Sequence, residues 1–382
     1  MSRVAAIRRE REETYVDYSL IFIILFLLAF GLIMLFSTSS YEATLDFGDS
    51  AYYFKHQLFP TIAGLLVMVL VSFIPYRIWS RFAMLIYLIS ATLLFMIIPF
   101  GVRINGAKRW LRFMGISIQP AEIAKVSAII FTATMIVKLK KNIATPKGYI
   151  TALVFPTFLA ALVYGITGNF SSAFIIMGIT IIMLFVSTPG YKRYILAAIA
   201  VLAIAALMVY LIANSEQSSG MNFRFGRVVA WLDPEADASD KGFQILQALY
   251  AIGSGGIFGK GLGESMQKMG FVPEAQNDMI FSIICEELGL FGAFAVMLMF
   301  LLLIWRLLII ANNSPDMFGA LLVIGVMGHV SIQVILNIAV VTNTIPNTGI
   351  TLPFISYGGS AVIIQLAEIG IALNVARNIG RD

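Results

Sequence analysis

The chain has 382 residues, 59% of them apolar and only 12% charged, and its 26 Lys and Arg against 21 Asp and Glu leave a net charge of +5. Soluble domains carry about 25% charged residues, so an ordinary cytosolic enzyme is excluded. The basic residues lie in short clusters between long apolar runs, unlike the concentrated patch of a nucleic-acid binder. A single cysteine, Cys285, builds no disulfide framework, and His56 and His329 are too far apart to suggest a zinc or haem site.

A window of about 19 residues finds about ten apolar stretches able to cross a hydrocarbon core of about 30 Å. They run approximately 18–38, 57–75, 80–99, 120–138, 149–167, 170–187, 193–213, 278–307, 317–341 and 354–377. Open strand edges are not tolerated in lipid, and no alternating barrel pattern is present, so each stretch is expected to be helical. The fold class predicted is an all-α, polytopic integral membrane helical bundle with about ten transmembrane helices and one large extracytoplasmic loop between spans 7 and 8. The chain divides into a cytoplasmic N-terminal tail (1–17), spans 1–7 (18–213), the large loop (214–277), spans 8–10 (278–377) and a cytoplasmic tail (378–382).

Arg3, Arg8, Arg9 and Arg11 precede the first apolar run, which is too long for a cleaved signal peptide and reads as a retained anchor. If the spans alternate, these arginines share one side with Arg77, Arg81, Lys138, Lys140, Lys141, Lys147, Lys192, Arg193, Arg377 and Arg381. The positive-inside rule makes that side the cytoplasm and places both termini there. The short outer loop 100–119 defies the bias, carrying Arg103, Lys108, Arg109 and Arg112. The long loop 214–277 contains an apolar segment, 242–258, that argues for a part folded onto the membrane surface or re-entering it.

Three outer segments hold most of the unusual residues: 101–125, 224–289 and 343–360. Asp278 stands where VPEAQND passes into the apolar MIFSIICEELG. The plain reading is a helix N-cap; an anion there also suits a general base toward a sugar hydroxyl. Lys108, Arg109 and Trp110 offer cations for phosphate oxygens and an indole for a sugar face, or else anchors for lipid headgroups. Glu122 and Lys125 lie three apart just inside the fourth span and are expected to pair, as a functional or a structural ion pair. The Gly-rich GSGGIFGKGLG contains Lys260 but lacks the GK[ST] of a phosphate loop, and reads as flexible packing against membrane and substrate. Pro346, Gly349, Pro353, Gly358 and Gly359 break regular helix, so 343–360, with Ser356, forms a wall of the site. His329, Gln333 and Asn337, like Gln365 and Glu368, read as helix-to-helix hydrogen bonders, with a proton relay left open for the last two.

NGAKRW, QPAEIAK, GSGGIFGKGLG, PEAQNDMIFSIICEELG and NTGITLPFISYGGS together resemble the SEDS family (shape, elongation, division and sporulation) over essentially the whole chain. PEAQND and the 340–360 stretch look closer to its division and sporulation members than to its elongation members. The resemblance implies polymerisation of lipid II into glycan strands at the outer face of the membrane, with Asp278 catalytic. It also implies a class B penicillin-binding protein, a transpeptidase, as partner, among other divisome or elongation-complex membrane proteins, and no nucleic acid. Glu122, Lys125 and Arg109 match further motif positions. The substrate-binding set expected is Lys108, Arg109, Trp110, Glu122, Lys125, Arg224, Lys260 and Ser356. No cofactor is required; a divalent cation, Mg or Mn, would assist at most, since one carboxylate defines no metal site. Many members carry an acidic PDxG segment where this chain reads TGNFSS, 167–172. The competing readings are a lipid II flippase or transporter and a non-catalytic scaffold for a transpeptidase.

Overall fold

The structure, a computed structural model, describes residues 16–104, 107–113, 116–213, 223–235 and 241–379. The tail arginines Arg3, Arg8, Arg9, Arg11 and Arg381 lie outside these residues. Nine helices among the described residues are long and apolar enough to cross a membrane. They are α1 (Tyr18–Phe47), α2 (Tyr52–Phe73), α3 (Arg77–Phe100), α4 (Pro120–Leu139, continued by a 3-10 turn to Ala144), α5 (Pro146–Thr167) and α6 (Phe170–Ser187), then α10 (Ile280–Asn312), α11 (Met317–Val341) and α12 (Gly359–Arg377). A further apolar helix, α7 (Lys192–Ala213), follows α6. Inside the long loop lie two shorter helices, α8 (Phe223–Leu232) and α9 (Lys241–Gly255).

Local chemistry accounts for several boundaries that the hydropathy profile misplaced. Helix α1 runs on to Phe47 through a hydroxyl-rich stretch, because Ser39 and Thr44 bond back to the carbonyls of Leu35 and Ser40, both at 2.7 Å, and so satisfy themselves within the helix. Gly48, at φ 69°, then closes it in a left-handed C-cap. The last helix begins at Gly359 and not at 354, since Phe354 itself has φ 63° and cannot continue a helix.

Hydropathy does not mark the centre of the bundle. The window of α4, mean hydropathy 1.5, is 78% buried, whereas that of α1, mean hydropathy 3.0, is 44% buried. Lipid is as apolar as leucine, so helices shielded from it are free to carry small and polar residues. Close approach is visible where α2 meets α12: a Cβ on Gly370 would stand 2.6 Å from the Met68 carbonyl, so only glycine fits.

The segment expected as an outer loop, 100–119, is instead a three-stranded antiparallel sheet of β1 (Gly101–Ile104), β2 (Ala107–Phe113) and β3 (Ile116–Ile118). Gly101 pairs with Leu111, Val102 with Trp110 and Leu111 with Ile118, with a bulge between Val102 and Arg103. Its short strands pair with one another at the end of α3, and the charged Arg103 and Arg112 remain exposed. At the opposite end of the bundle, Arg306 holds both carboxylate oxygens of Asp17 at 2.9 Å. There too Asp316 caps α11 and accepts from Tyr76 Oη at 2.7 Å and Arg77 Nε at 3.0 Å. The bonds from Arg306, Tyr76 and Arg77 join segments remote in sequence, and together they fix which helix ends lie side by side.

Candidate active site

Helix α10 is interrupted at Gly289 (φ 67°, ψ −166°), so residues 280–288 form a separate helical piece above the main span. Asp278 precedes it but does not cap it: the N-cap is Met279, with no side-chain capping bond. The capping reading is therefore corrected. The Asp278 carboxylate turns toward the 343–358 segment, with Oδ2 3.8 Å from where a Cβ on Gly349 would stand. The residue is 8% exposed. Burial pushes its pKa up to about 7, helped by the negative charge of Glu274 and opposed by its own backbone N–H and by Arg227. A capping carboxylate would have been shifted the other way.

The facing segment has no regular structure, and side chains take the place of a ladder. Arg227 of α8 donates to the Asn347 carbonyl at 3.3 Å, and Trp231 Nε1 to the Asn343 carbonyl at 3.0 Å. Gln244 of α9 accepts from Asn347 Nδ2 at 2.9 Å and donates to the Pro273 carbonyl at 3.1 Å, so one amide spans the wall and the loop before Asp278. Tyr357 N donates to the Gln276 carbonyl at 3.0 Å, and Ser356 Oγ, buried, accepts from Leu352 N at 2.8 Å. The long loop is thus folded against the end of the bundle through α8 and α9.

The third segment joins through the turn between α5 and α6. Arg109 on β2 donates from Nε to the Thr167 carbonyl at 3.2 Å, and four residues on Ser171 donates to the Thr348 carbonyl at 2.8 Å. Asn169 caps α6 by accepting from Ser172 N at 3.0 Å. TGNFSS, where an acidic segment is usual among the proteins the chain resembles, is therefore the bridge between the sheet and the wall. Lys108 donates to the Ile98 carbonyl at 2.6 Å, at the end of α3, and Trp110 is half-buried on β2 opposite Val102.

Two of the expected cations are engaged in ion pairs. Lys125 is 1% exposed and reaches Glu122 Oε1 at 2.7 Å, leaving Glu122 Oε2 buried without a partner. Lys260 pairs with the fully buried Glu286 at 2.7 Å. Glu286 also accepts from Ser265 Oγ, from Met266 N at 3.1 Å and from Gln267 N at 3.3 Å, while Glu287 accepts from Lys268 Nζ at 2.7 Å and from Ser37 Oγ of α1. The Gly-rich stretch is pinned by backbone contact and does not pack loosely as expected. Lys260 N and Gly261 N donate to the carbonyls of Glu286 and Glu287 at 2.9 Å, and Leu290 N to that of Gly256. A Cβ on Gly255 would lie 2.0 Å from the Cys285 carbonyl oxygen, which explains the glycine there.

Of the expected site residues, Asp278 and Ser356 lie in directly bonded segments, Arg109 is joined to them through the α5–α6 turn, and Lys125 and Glu122 form a pair inside α4. Arg224 belongs to α8, and its side chain is outside the described residues. Arg227 and Glu274, which set the charge around Asp278, were not singled out from the sequence; both lie within segment 224–289, but neither stands at a span boundary that draws notice. Gln333 and Asn337 were expected to bond helix to helix; Gln333 does so, accepting from Gln365 Nε2 of α12 at 3.5 Å, and both also donate to carbonyls of irregular segments, at Thr351, Ile350 and Asp278. His329 and Glu368 do bond between α11 and α12, at 2.8 Å. Among the described residues, no three His, Cys, Asp or Glu side chains are grouped as a metal cage, so a divalent ion has no assembled ligand set.

Residues 18–380 match the profile of a family described as Cell cycle protein, comprising FtsW, RodA and SpoVE. Stage V sporulation protein E of Bacillus subtilis is 36% identical over 370 residues, covering 96% of this chain and 98% of that protein. The probable peptidoglycan glycosyltransferase FtsW of Geobacter metallireducens is 38% identical over 353 residues, 92% of each. The fold is similar to a chain from a peptidoglycan synthase complex studied for its coordination of polymerization and crosslinking, with TM-score 0.77 and 25% identity over 96% of this chain and 99% of that one. It is also similar to the rod shape determining protein RodA of Thermus thermophilus, with TM-score 0.66 and 25% identity over 97% and 99%. With a family match running almost end to end, close relatives of equal length and the same helical architecture, the chain belongs to the FtsW/RodA/SpoVE family.

Proposed function

We propose that Asp278 is the general base in the polymerisation of lipid II into glycan strands at the outer face of the cytoplasmic membrane. The chain is a multi-pass membrane glycosyltransferase of peptidoglycan synthesis, and the observation that carries the assignment of its base is the setting of one carboxylate. Asp278 is buried, faces a polar wall and titrates near 7, where a base combines the deprotonated form with useful proton affinity. The relatives named as glycosyltransferases and the synthase-complex neighbour support the same chemistry.

The reaction follows from this arrangement. The acceptor sugar hydroxyl gives its proton to the Asp278 carboxylate while its oxygen bonds to the anomeric carbon of the donor. The bond from that carbon to the diphosphate breaks, and the lipid diphosphate leaves with the electron pair. No nucleotide is needed, because the diphosphate is the leaving group. Negative charge growing on it is met by cations held in place beforehand. Arg109 and Lys108 extend from the sheet; Arg224 stands on α8; Lys125 and Lys260 act from their ion pairs with Glu122 and Glu286. Trp110 and Ser356 complete the substrate-binding set.

The orientation rests on charge. The end of the bundle opposite Asp278 carries Arg77, Arg81, Lys138, Lys140, Lys141, Lys147, Lys192, Arg193 and Arg377, which is the cytoplasmic signature and leaves Asp278 outside. The partner that fits is a class B penicillin-binding protein, since a polymer made outside the membrane is the substrate of crosslinking, and the similar chain belongs to a complex coordinating the two.

The test is purified protein in nanodiscs with labelled lipid II, with and without a candidate transpeptidase. Glycan chains are expected, and are lost in Asp278→Ala and Asp278→Asn variants that remain folded. Transbilayer movement of lipid II without chain growth would replace the reading with a flippase; neither activity in the presence of the partner would replace it with a scaffold.

A further inference from the structure

We infer that Asn337 is a positioning residue for the reaction, its amide tying the backbone beside the reacting carboxylate to the wall that faces it. The inference rests on Asp278 being the base. Asn337 lies near the end of α11 and is fully buried. Its Nδ2 donates to the Asp278 carbonyl at 2.8 Å and to the Ile350 carbonyl at 2.7 Å. Both carbonyls belong to irregular backbone, so neither has a helical or sheet partner to fall back on.

The neighbouring amides do less. Gln333, one turn away on α11, donates to the Thr351 carbonyl, and Gln365 of α12 accepts from Phe354 N. They bond to the wall and to each other, whereas Asn337 bonds to the wall and to the Asp278 loop. Its Oδ1 is buried without a partner. A buried polar atom left unpaired is unusual in a purely structural role. It is understandable where the geometry is set by two donors aimed at two particular carbonyls. The carboxylate that depends on this geometry lies among Glu274, Arg227 and Gly349. A shift of about 1 Å in such a group reduces rate by on the order of a hundredfold while leaving substrate binding largely intact.

The experiment compares the unaltered protein with Asn337→Leu, similar in size and without donors, Asn337→Ser, with a single donor, and Gln333→Leu, which loses its bonds to the wall and to Gln365 but none to the Asp278 loop. Hydrogen exchange followed by mass spectrometry on the proteins in nanodiscs reports 272–279 and 346–357 separately. Faster exchange in both segments is expected for Asn337→Leu, and in the wall alone for Gln333→Leu. In the lipid II assay, kcat of Asn337→Leu is expected to fall by about tenfold or more with KM within about threefold, the split that marks lost transition-state geometry. The acid limb of its pH profile is expected to move, and Asn337→Ser to be intermediate. Unchanged exchange in either segment, or activity lost only in proportion to folded protein with an unmoved pH limb, would overturn the inference. Failure of the unaltered protein with its partner to make glycan would instead overturn the glycosyltransferase reading, and the exchange data would still decide whether Asn337 couples the two segments.

Discussion

Lys268 and Glu287 form an ion pair at 2.7 Å with side chains only 5% and 0% exposed, and Ser37 of α1 bonds to the same carboxylate. Beside it, Glu286 gathers Lys260, Ser265 and two backbone N–H groups. Two adjacent acids in the short helical piece before Gly289 thus hold the stretch 254–268 onto the bundle. Breaking such a pair from one side strands a buried charge, which costs about 3–5 kcal/mol. Lys268→Met is expected to lower stability by that order, and the double change Lys268→Met with Glu287→Leu to recover most of it. Thermal unfolding in nanodiscs measures both; a double variant no more stable than the single would refute the pairing argument.

The pH dependence of Asp278 has a definite sign. Its pKa is raised from 3.8 to about 7, so the folded protein holds that proton more tightly than the unfolded chain. The contribution to stability is present in full below pH 3.8 and is lost as pH rises through about 7, at roughly 1.4 kcal/mol for each tenfold difference in proton affinity. Asp278→Asn is therefore expected to unfold at a higher temperature than the unaltered protein at pH 8, with the difference vanishing toward pH 4. Glycan synthesis should show the opposite trend, rising with pH through about 7 as the base is unmasked, and should be absent in Asp278→Asn at every pH.

Two glycines on α9 separate packing from propensity. A methyl group added at Gly253 would find nothing within 4 Å, whereas a Cβ on Gly255 would meet the Cys285 carbonyl oxygen at 2.0 Å. Gly253→Ala is expected to be neutral or to stabilise by up to about 1 kcal/mol through helix propensity. Gly255→Ala should destabilise by about 1–3 kcal/mol or more, as overpacking does, and loosen residues 256–268 in hydrogen exchange. Equal effects of the two would mean that α9 does not press on α10.

Asp316 provides a control remote from the chemistry. It caps α11 through Gly319 N at 2.8 Å and accepts from Tyr76 and Arg77. Asp316→Ala should lower stability by about 0.5–2 kcal/mol, the worth of an N-cap. Glycan synthesis per folded molecule should not change, because this end of the bundle lies a helix length from Asp278. Loss of specific activity would reveal coupling through the bundle.

Several features were legible from residue order because they follow from a local rule. A bilayer imposes helix length and apolarity on every span, so the bundle could be counted from hydropathy. Asp278 drew notice because an acid at the edge of an apolar run is unusual, and Glu122 with Lys125 because helical spacing pairs them. The β1–β3 sheet escaped notice: its strands are short and basic, and pairing between them depends on register rather than on composition. The clamp formed by Glu286 and Glu287 escaped because its partners, Lys260, Lys268 and Ser37, arrive from a loop and from a helix some 250 residues distant.

The residue order by itself determined that this chain crosses a membrane many times and that its polar segments collect at one end, since water and lipid sort side chains wherever they occur. Only the tertiary structure decided that Asp278 faces Gly349 instead of capping α10, that Arg227 and Glu274 set its charge, and that Asn337 joins its backbone to the wall. Those outcomes depend on which carbonyls and carboxylates come within hydrogen-bond reach in irregular backbone, a property of three-dimensional closure that no periodicity along the chain encodes.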